Sequence, residues 1–114
     1  MPSEDVPVEV VITAPDHEWM RRLIGTLVRE RLCAAGHLQP FETVYRWRGE
    51  IFEKAETRGT LYTRASLVQR ITERVRQEHP YEVPHVTAVP LTAGNPDYLA
   101  WIIAETDDGP AITR

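Results

Sequence analysis

The stretch VPVEVVITAPDHEWMRRLIGTLVRERL, residues 6–32, joins a strand pattern to a helix pattern, and the fold prediction starts from it. Residues 6–14 form a short run rich in Val and Ile, which is typical of a strand. Asp16 then provides a helix N-cap, because its carboxylate can accept from free backbone N–H groups. Apolar residues recur at spacings of one, three and four up to Leu32, so an amphipathic helix follows the strand.

Two further strands are predicted over residues 37–48 and 51–63. Residues 48–50, Arg-Gly-Glu, lie between them and indicate a hairpin turn. Pro40 cannot donate to a ladder, so it must lie at an edge, a bend or a bulge. Gly59 lies in the weakly apolar middle of the second of these strands and indicates a β-bulge.

The last part of the chain predicts a helix, a strand and a short final helix. Ser66 and Gln69 have the spacing of a capping box, and the helix they begin should end before Pro80. Residues 85–91 form the fourth strand candidate, and Asn95 caps the final helix. The order βαββαβ plus a terminal helix predicts an α+β, ferredoxin-like sandwich, with an antiparallel four-stranded sheet and two helices on one face.

Composition and charge narrow the classes of function. The 114 residues suit a single domain, with a core at about residues 8–106 and a weakly ordered segment at 107–114. A net charge of −4 argues against nucleic acid as the main partner, and no apolar run is long enough to span a bilayer. The acidic start is unlike a signal peptide, so a cytoplasmic location is predicted. The lone Cys33 excludes an intrachain disulfide and a Cys-rich zinc site, and we expect it to be buried.

The sequence offers little catalytic chemistry. No nucleophile has a base beside it and no Gly-rich phosphate loop occurs, so the chain is predicted not to be an enzyme. His79 precedes Pro80 at a helix end, where it can serve as a C-cap or as a metal ligand. With Glu78 and Glu82 beside it, the second interpretation predicts a weak histidine–carboxylate site for Cu(II) or Zn(II).

Aromatic side chains cluster near the predicted turns and would be hard to cover in a monomer. Large exposed apolar patches usually mark interfaces. These side chains are therefore predicted to line a subunit interface or a cleft, with packing inside one subunit as the alternative. The interface candidates are Tyr45, Trp47, Tyr98 and Trp101.

Motifs in five places together resemble the CutA divalent-cation tolerance family, over roughly residues 8–106. They are Thr13-Ala14-Pro15-Asp16, Leu32-Cys33-Ala34-Ala35, Tyr45-Arg46-Trp47-Arg48-Gly49, His79-Pro80-Tyr81-Glu82-Val83-Pro84 and Gly94-Asn95-Pro96-Asp97-Tyr98-Leu99-x-Trp101. The resemblance implies a ferredoxin-like subunit in a homotrimer, with an architecture similar to that of the PII signalling proteins.

The chain departs from the family pattern at several positions. Cys33 lies two positions earlier than the usual cysteine, and His37 replaces the usual asparagine. Tyr62 replaces a lysine that would be expected to line a subunit cleft. These departures count against a copper site built from cysteine and against an anion-binding role for that lysine.

For this chain the resemblance implies a non-enzymatic homotrimer that needs no cofactor. It would bind a divalent cation of the copper type weakly, or a small ligand, at its subunit clefts. The implied cleft residues are Tyr45, Trp47, Glu56 and Tyr81. The alternative is a PII-like signalling or scaffold module that acts through a protein partner, with metal binding incidental.

Overall fold

The computed structural model describes residues 5–106. The elements are β1 (Pro7–Ala14), α1 (His17–Arg29), β2 (Ala35–Trp47), β3 (Glu50–Arg64), a 3-10 turn (Ala65–Leu67), α2 (Val68–Glu78), β4 (Val86–Pro90) and α3 (Pro96–Glu105). The predicted order of βαββαβ with a terminal helix is confirmed. The expectation for residues 107–114 lies outside the described residues.

The four strands form one antiparallel sheet in the order β2-β3-β1-β4, which is the ferredoxin-like arrangement. Because side chains alternate along a strand, β1 turns every second residue toward the helices and buries it there. The core combines residues of β1, α1 and α2, among them Val8, Val10, Ile12, Met20, Leu23, Leu27, Ile71 and Val75. None of the helices within residues 5–106 is long and apolar enough to cross a membrane.

Gly59 lies under α1 in a regular part of the sheet. It pairs with Ile12 on one side and with Leu38 on the other, and both ladders run through it without interruption. The bulge prediction was therefore wrong. A Cβ atom at Gly59 would lie 2.6 Å from the Sδ atom of Met20, so the glycine is needed for the close approach of the helix to the sheet.

The β2–β3 hairpin extends well beyond the rest of the sheet. β1 pairs with β3 only from Thr57 to Arg64, so residues 41–47 and 50–56 pair only with each other; we call this two-stranded part the ribbon. The predicted turn is confirmed, with positive φ angles of 51° at Arg48 and 82° at Gly49. Pro40 is tolerated because β2 is an edge strand.

Two helix boundaries differ from those predicted. α1 ends at Arg29 rather than near Leu32, because the chain turns through a left-handed residue, Arg31, at a φ of 63°. Ser66 does not cap α2, which begins at Val68. Its hydroxyl and backbone N–H donate to Asp5 instead, because the N-terminal segment passes beside this turn.

Candidate ligand groove

A groove of about 600 Å³ separates the ribbon from the loop that joins α2 to β4. We call it the ribbon groove. It brings together the four predicted cleft residues and adds others that side-chain alternation along β3 places on the same face. The groove is lined by side chains that include Tyr45, Trp47, Phe52, Lys54, Glu56 and Tyr81.

Tyr81 and Glu56 form the polar centre of the groove. The Tyr81 hydroxyl donates to Oε2 of Glu56 at 2.8 Å, and the Glu56 residue is only 6% exposed. Burial and the hydrogen bonds with Glu56 and Tyr45 raise the pKa of Tyr81 well above its ordinary value. The phenol is therefore a stable proton donor that occupies one oxygen of the buried carboxylate.

His79 holds the loop that carries Tyr81. Its Nε2–H donates to the carbonyl oxygen of Thr13 at 2.7 Å, and its Nδ1 accepts from the Tyr81 backbone N–H at 3.0 Å. The ring also makes an edge contact with Trp19, at 5.1 Å between centroids. His79 caps α2 and is 8% exposed. The cap itself is the His79 backbone N–H, which donates to the Val75 carbonyl oxygen at 2.8 Å, and this agrees with the C-cap interpretation.

The predicted metal ligands are not brought together. Both ring nitrogens of His79 are used within the chain, which leaves no lone pair for a cation. Glu78 accepts from Arg74 at 3.2 Å, and Glu82 pairs with Arg48 across the groove mouth. Within residues 5–106, no group of three or more His, Cys, Asp or Glu side chains is arranged to hold a metal ion. These residues therefore do not fit a divalent cation within one subunit.

Cys33 offers no alternative metal ligand. It is buried in the core, and burial raises the pKa of its thiol to about 12. A thiol that stays protonated is a poor ligand and a poor nucleophile. The expectation of a buried cysteine is confirmed.

The predicted interface residues lie at two separate places. Tyr45 and Trp47 lie on the ribbon, whereas Tyr98 and Trp101 lie on α3, near the opposite end of β3. The rings of Tyr98 and Trp101 are 5.4 Å apart, and each residue is 40% exposed. One subunit therefore presents two aromatic surfaces that do not meet.

Sequence reasoning missed Phe52 and Lys54 as groove residues. Lys54 places its Nζ atom 5.4 Å from the Phe52 ring centroid and 5.6 Å from that of Tyr81. The signal was available, because residues 52, 54 and 56 share one face of a strand. Glu56 was predicted to line the cleft, so applying the two-residue alternation of a strand to it would have identified Lys54 and Phe52 as well.

The element order and the sheet define a ferredoxin-like α+β protein. The family model of the CutA1 divalent ion tolerance protein matches residues 8–105. The chain is 38% identical over 97 residues to the divalent-cation tolerance protein CutA of Pyrococcus horikoshii, covering 85% of this chain and 95% of that protein. It is 39% identical over 102 residues to the chloroplastic protein CutA 1 of Oryza sativa subsp. japonica, covering 88% of this chain but 58% of that one.

The fold comparison agrees with the sequence comparisons. The solved divalent cation tolerance protein (Cut A1) of Thermus thermophilus superimposes with a TM-score of 0.85 at 36% identity, covering 89% of this chain and 99% of that one. This chain belongs to the CutA1 divalent ion tolerance protein family.

Proposed function

We propose that this CutA-family chain is a non-enzymatic, single-domain binding protein whose ribbon groove takes a small ligand at the subunit boundaries of a homotrimer. The observation that carries the proposal is the convergence of Tyr45, Trp47, Glu56 and Tyr81 on one groove. A volume of about 600 Å³ is in the ordinary range for small-molecule sites, about 300–1,000 Å³.

The ribbon supports assembly into an oligomer. A two-stranded ribbon is at best marginally stable in water unless something packs on it. Val44 and Ile51 are 68% and 54% exposed on the ribbon. A neighbouring subunit would cover these side chains and would close the groove on its outer side. Tyr98 and Trp101 supply a second aromatic surface for the same assembly.

Weak binding of copper or another divalent cation stays a prediction that rests on the family description. Glu78, His79 and Glu82 do not support it within one subunit, so any site would need donors from more than one subunit. A cytoplasmic location also stays a prediction, and one relative in Oryza sativa is named as chloroplastic.

The alternative function is a PII-like signalling or scaffold module that binds another protein. The exposed apolar residues of the ribbon favour it, as does Val83 in the adjoining loop, which is 68% exposed. In that case the groove would bind no small molecule, and a protein partner would cover these side chains.

Light scattering and native mass spectrometry test the proposal. We expect a mass of about three times 13.1 kDa and a co-purified small molecule bound to the oligomer. Val44→Asp combined with Ile51→Asp should give monomers, whereas Val28→Asp, at a position 38% exposed on α1, should leave the trimer intact. A monomeric wild type would contradict the proposal, and a ligand-free trimer that retains a protein from lysate would favour the alternative.

A further inference from the structure

We propose that the ribbon groove takes a small aromatic carboxylate and that the ammonium group of Lys54 binds its negative charge. The inference rests on the proposed function and names the class of ligand. Lys54 is the only lysine in a chain that has twelve arginines. This one compact, strongly hydrated cation lies in the groove rather than on a remote surface.

Nothing among the described residues neutralises the charge of Lys54. No carboxylate forms an ion pair with Lys54 among residues 5–106. The two acids that line the groove have other partners, since Glu56 accepts from the Tyr81 hydroxyl and Glu82 pairs with Arg48. Lys54 instead lies over the Phe52 and Tyr81 rings, which favour a cation but leave its ammonium donors free. An anion entering the groove would therefore meet an available positive charge.

The walls of the groove favour a planar, aromatic ligand. The rings of Tyr45 and Phe52 are stacked, with centroids 5.5 Å apart and planes inclined by 21°. Trp47 and Tyr81 add two more half-buried rings. Aromatic pairs gain energy beyond the area they bury, so a flat ring would be held better than an aliphatic chain of the same volume.

The charge arrangement favours a carboxylate over a phosphate. One free lysine matches a single negative charge, whereas a phosphate is best held by several donors or by a bidentate arginine. Arg48 lines the same groove, but its guanidinium pairs with Glu82 and rests on the Trp47 ring, 5.1 Å from the centroid. Lys54 also repels a free divalent cation, which agrees with the absence of a metal-ligand set in residues 5–106.

Titration calorimetry at low salt with naphthalene-2-carboxylate and naphthalene-2-carboxamide tests the inference, because the two probes share a ring system and differ in charge. We expect the wild type to bind the carboxylate at least about fivefold more tightly than the amide, a typical effect of one partly exposed ion pair. Lys54→Gln should remove this preference, and Lys54→Arg should retain most of it. Light scattering of each variant checks that assembly is unchanged.

The outcomes separate the inference from the proposed function. If the wild type binds both probes equally, or if Lys54→Gln keeps the preference, the role of Lys54 is overturned while the groove remains a binding site. If neither probe binds, the assignment of an aromatic carboxylate as the ligand is overturned. The proposed function is then tested separately, by whether native mass spectrometry finds a small molecule bound to the oligomer. A preference for the carboxylate in the wild type that Lys54→Gln loses and Lys54→Arg retains, with assembly unchanged in both variants, supports the inference.

Discussion

At the residue scale, Arg31 occupies the left-handed position after α1, where helices most often use glycine. The Leu32 N–H donates to the Leu27 carbonyl at 2.9 Å, and the Arg31 N–H donates to the Val28 carbonyl at 3.0 Å. These two bonds form a Schellman motif. Arg31 also makes a tertiary contact, because its guanidinium donates to the Ala104 carbonyl at 3.1 Å and so joins α1 to α3.

Replacing Arg31 should separate backbone strain from this contact. Arg31→Ala and Arg31→Gly both lose the bond to Ala104, but only glycine adopts a positive φ without a steric cost. We expect Arg31→Gly to be more stable than Arg31→Ala by about 1 kcal/mol, the usual cost of a left-handed non-glycine residue. Urea unfolding of the two variants at equal protein concentration measures this difference. Equal stability would show that the turn relaxes in the alanine variant.

At the element scale, the glycines of the sheet set the distance between α1 and the strands below it. A Cβ atom at Gly36 of β2 would lie 2.5 Å from Cγ2 of Ile24, and this branched side chain has little freedom to move. Gly25, within α1, differs because its nearest neighbour is the flexible Arg29 side chain, at 3.4 Å. The two positions therefore respond to the same substitution in opposite directions.

We expect Gly36→Ala to destabilise the protein by about 1–3 kcal/mol, because it overpacks the contact between α1 and the sheet. Gly25→Ala should instead stabilise it by about 0.5–1 kcal/mol through the higher helix propensity of alanine. Thermal unfolding of both variants compares these effects within one experiment. A neutral Gly36→Ala variant would mean that α1 can shift along β2 without loss of packing.

At the scale of the whole molecule, Arg64 joins three distant parts of the chain. Its guanidinium donates to Asp5 at 3.2 Å, to the Thr106 hydroxyl at 2.9 Å and to the carbonyls of Ile103 and Thr106 at the end of α3. Burial by itself raises the pKa of Asp5, but the hydrogen bonds from Ser66 and Arg64 outweigh it and hold the pKa below its ordinary value. The ionised Asp5 is therefore favoured by folding.

This arrangement predicts a dependence of stability on pH. Because the pKa of Asp5 is lower in the folded state, its contribution is present above the unfolded pKa of about 3.9 and is lost as pH falls through the folded value. Asp5→Asn should cost about 1 kcal/mol at pH 7 and should weaken the loss of stability below about pH 4. Chemical unfolding at several pH values measures how steeply the free energy of unfolding changes with pH in the wild type and in the variant. If the stability of the variant changes with pH as steeply as that of the wild type, Asp5 does not contribute to the pH dependence of stability.

Assembly should respond differently to two tryptophans. Trp19 packs against the core, so Trp19→Ala should cost about 3 kcal/mol within each subunit without affecting assembly of the proposed trimer. Trp47 lies beside the ribbon tip and is half-buried; if a neighbouring subunit of the proposed trimer completes its burial, Trp47→Ala should weaken assembly. Light scattering across a dilution series distinguishes these effects. A Trp47→Ala trimer as resistant to dilution and heat as the wild type would contradict the interface assignment.

Features that depend on short-range physical rules could be predicted from the sequence. Periodicities of two and of three to four residues identified the strands and helices, and residues 48–50 located the hairpin turn. Pro80 marked the end of α2, because the residue before a proline leaves the helical region. The motif resemblance identified the family and pointed to Tyr45, Trp47, Glu56 and Tyr81 as one group.

The partners of the polar side chains could not be predicted from the sequence, because they depend on the tertiary structure. Ser66 has a capping-box sequence, yet Asp5 binds it because the fold brings residues 61 positions apart into contact. The sequence of His79 allowed a C-cap or a metal ligand, and the fold decides between them because the Thr13 carbonyl on β1 and the Tyr81 N–H occupy both ring nitrogens. Gly59 looked like a bulge because sequence shows only that a side chain is missing, and not which neighbour fills the space. Hydrogen bonds and close packing depend on distances between atoms that are remote along the chain, and local sequence patterns do not contain those distances.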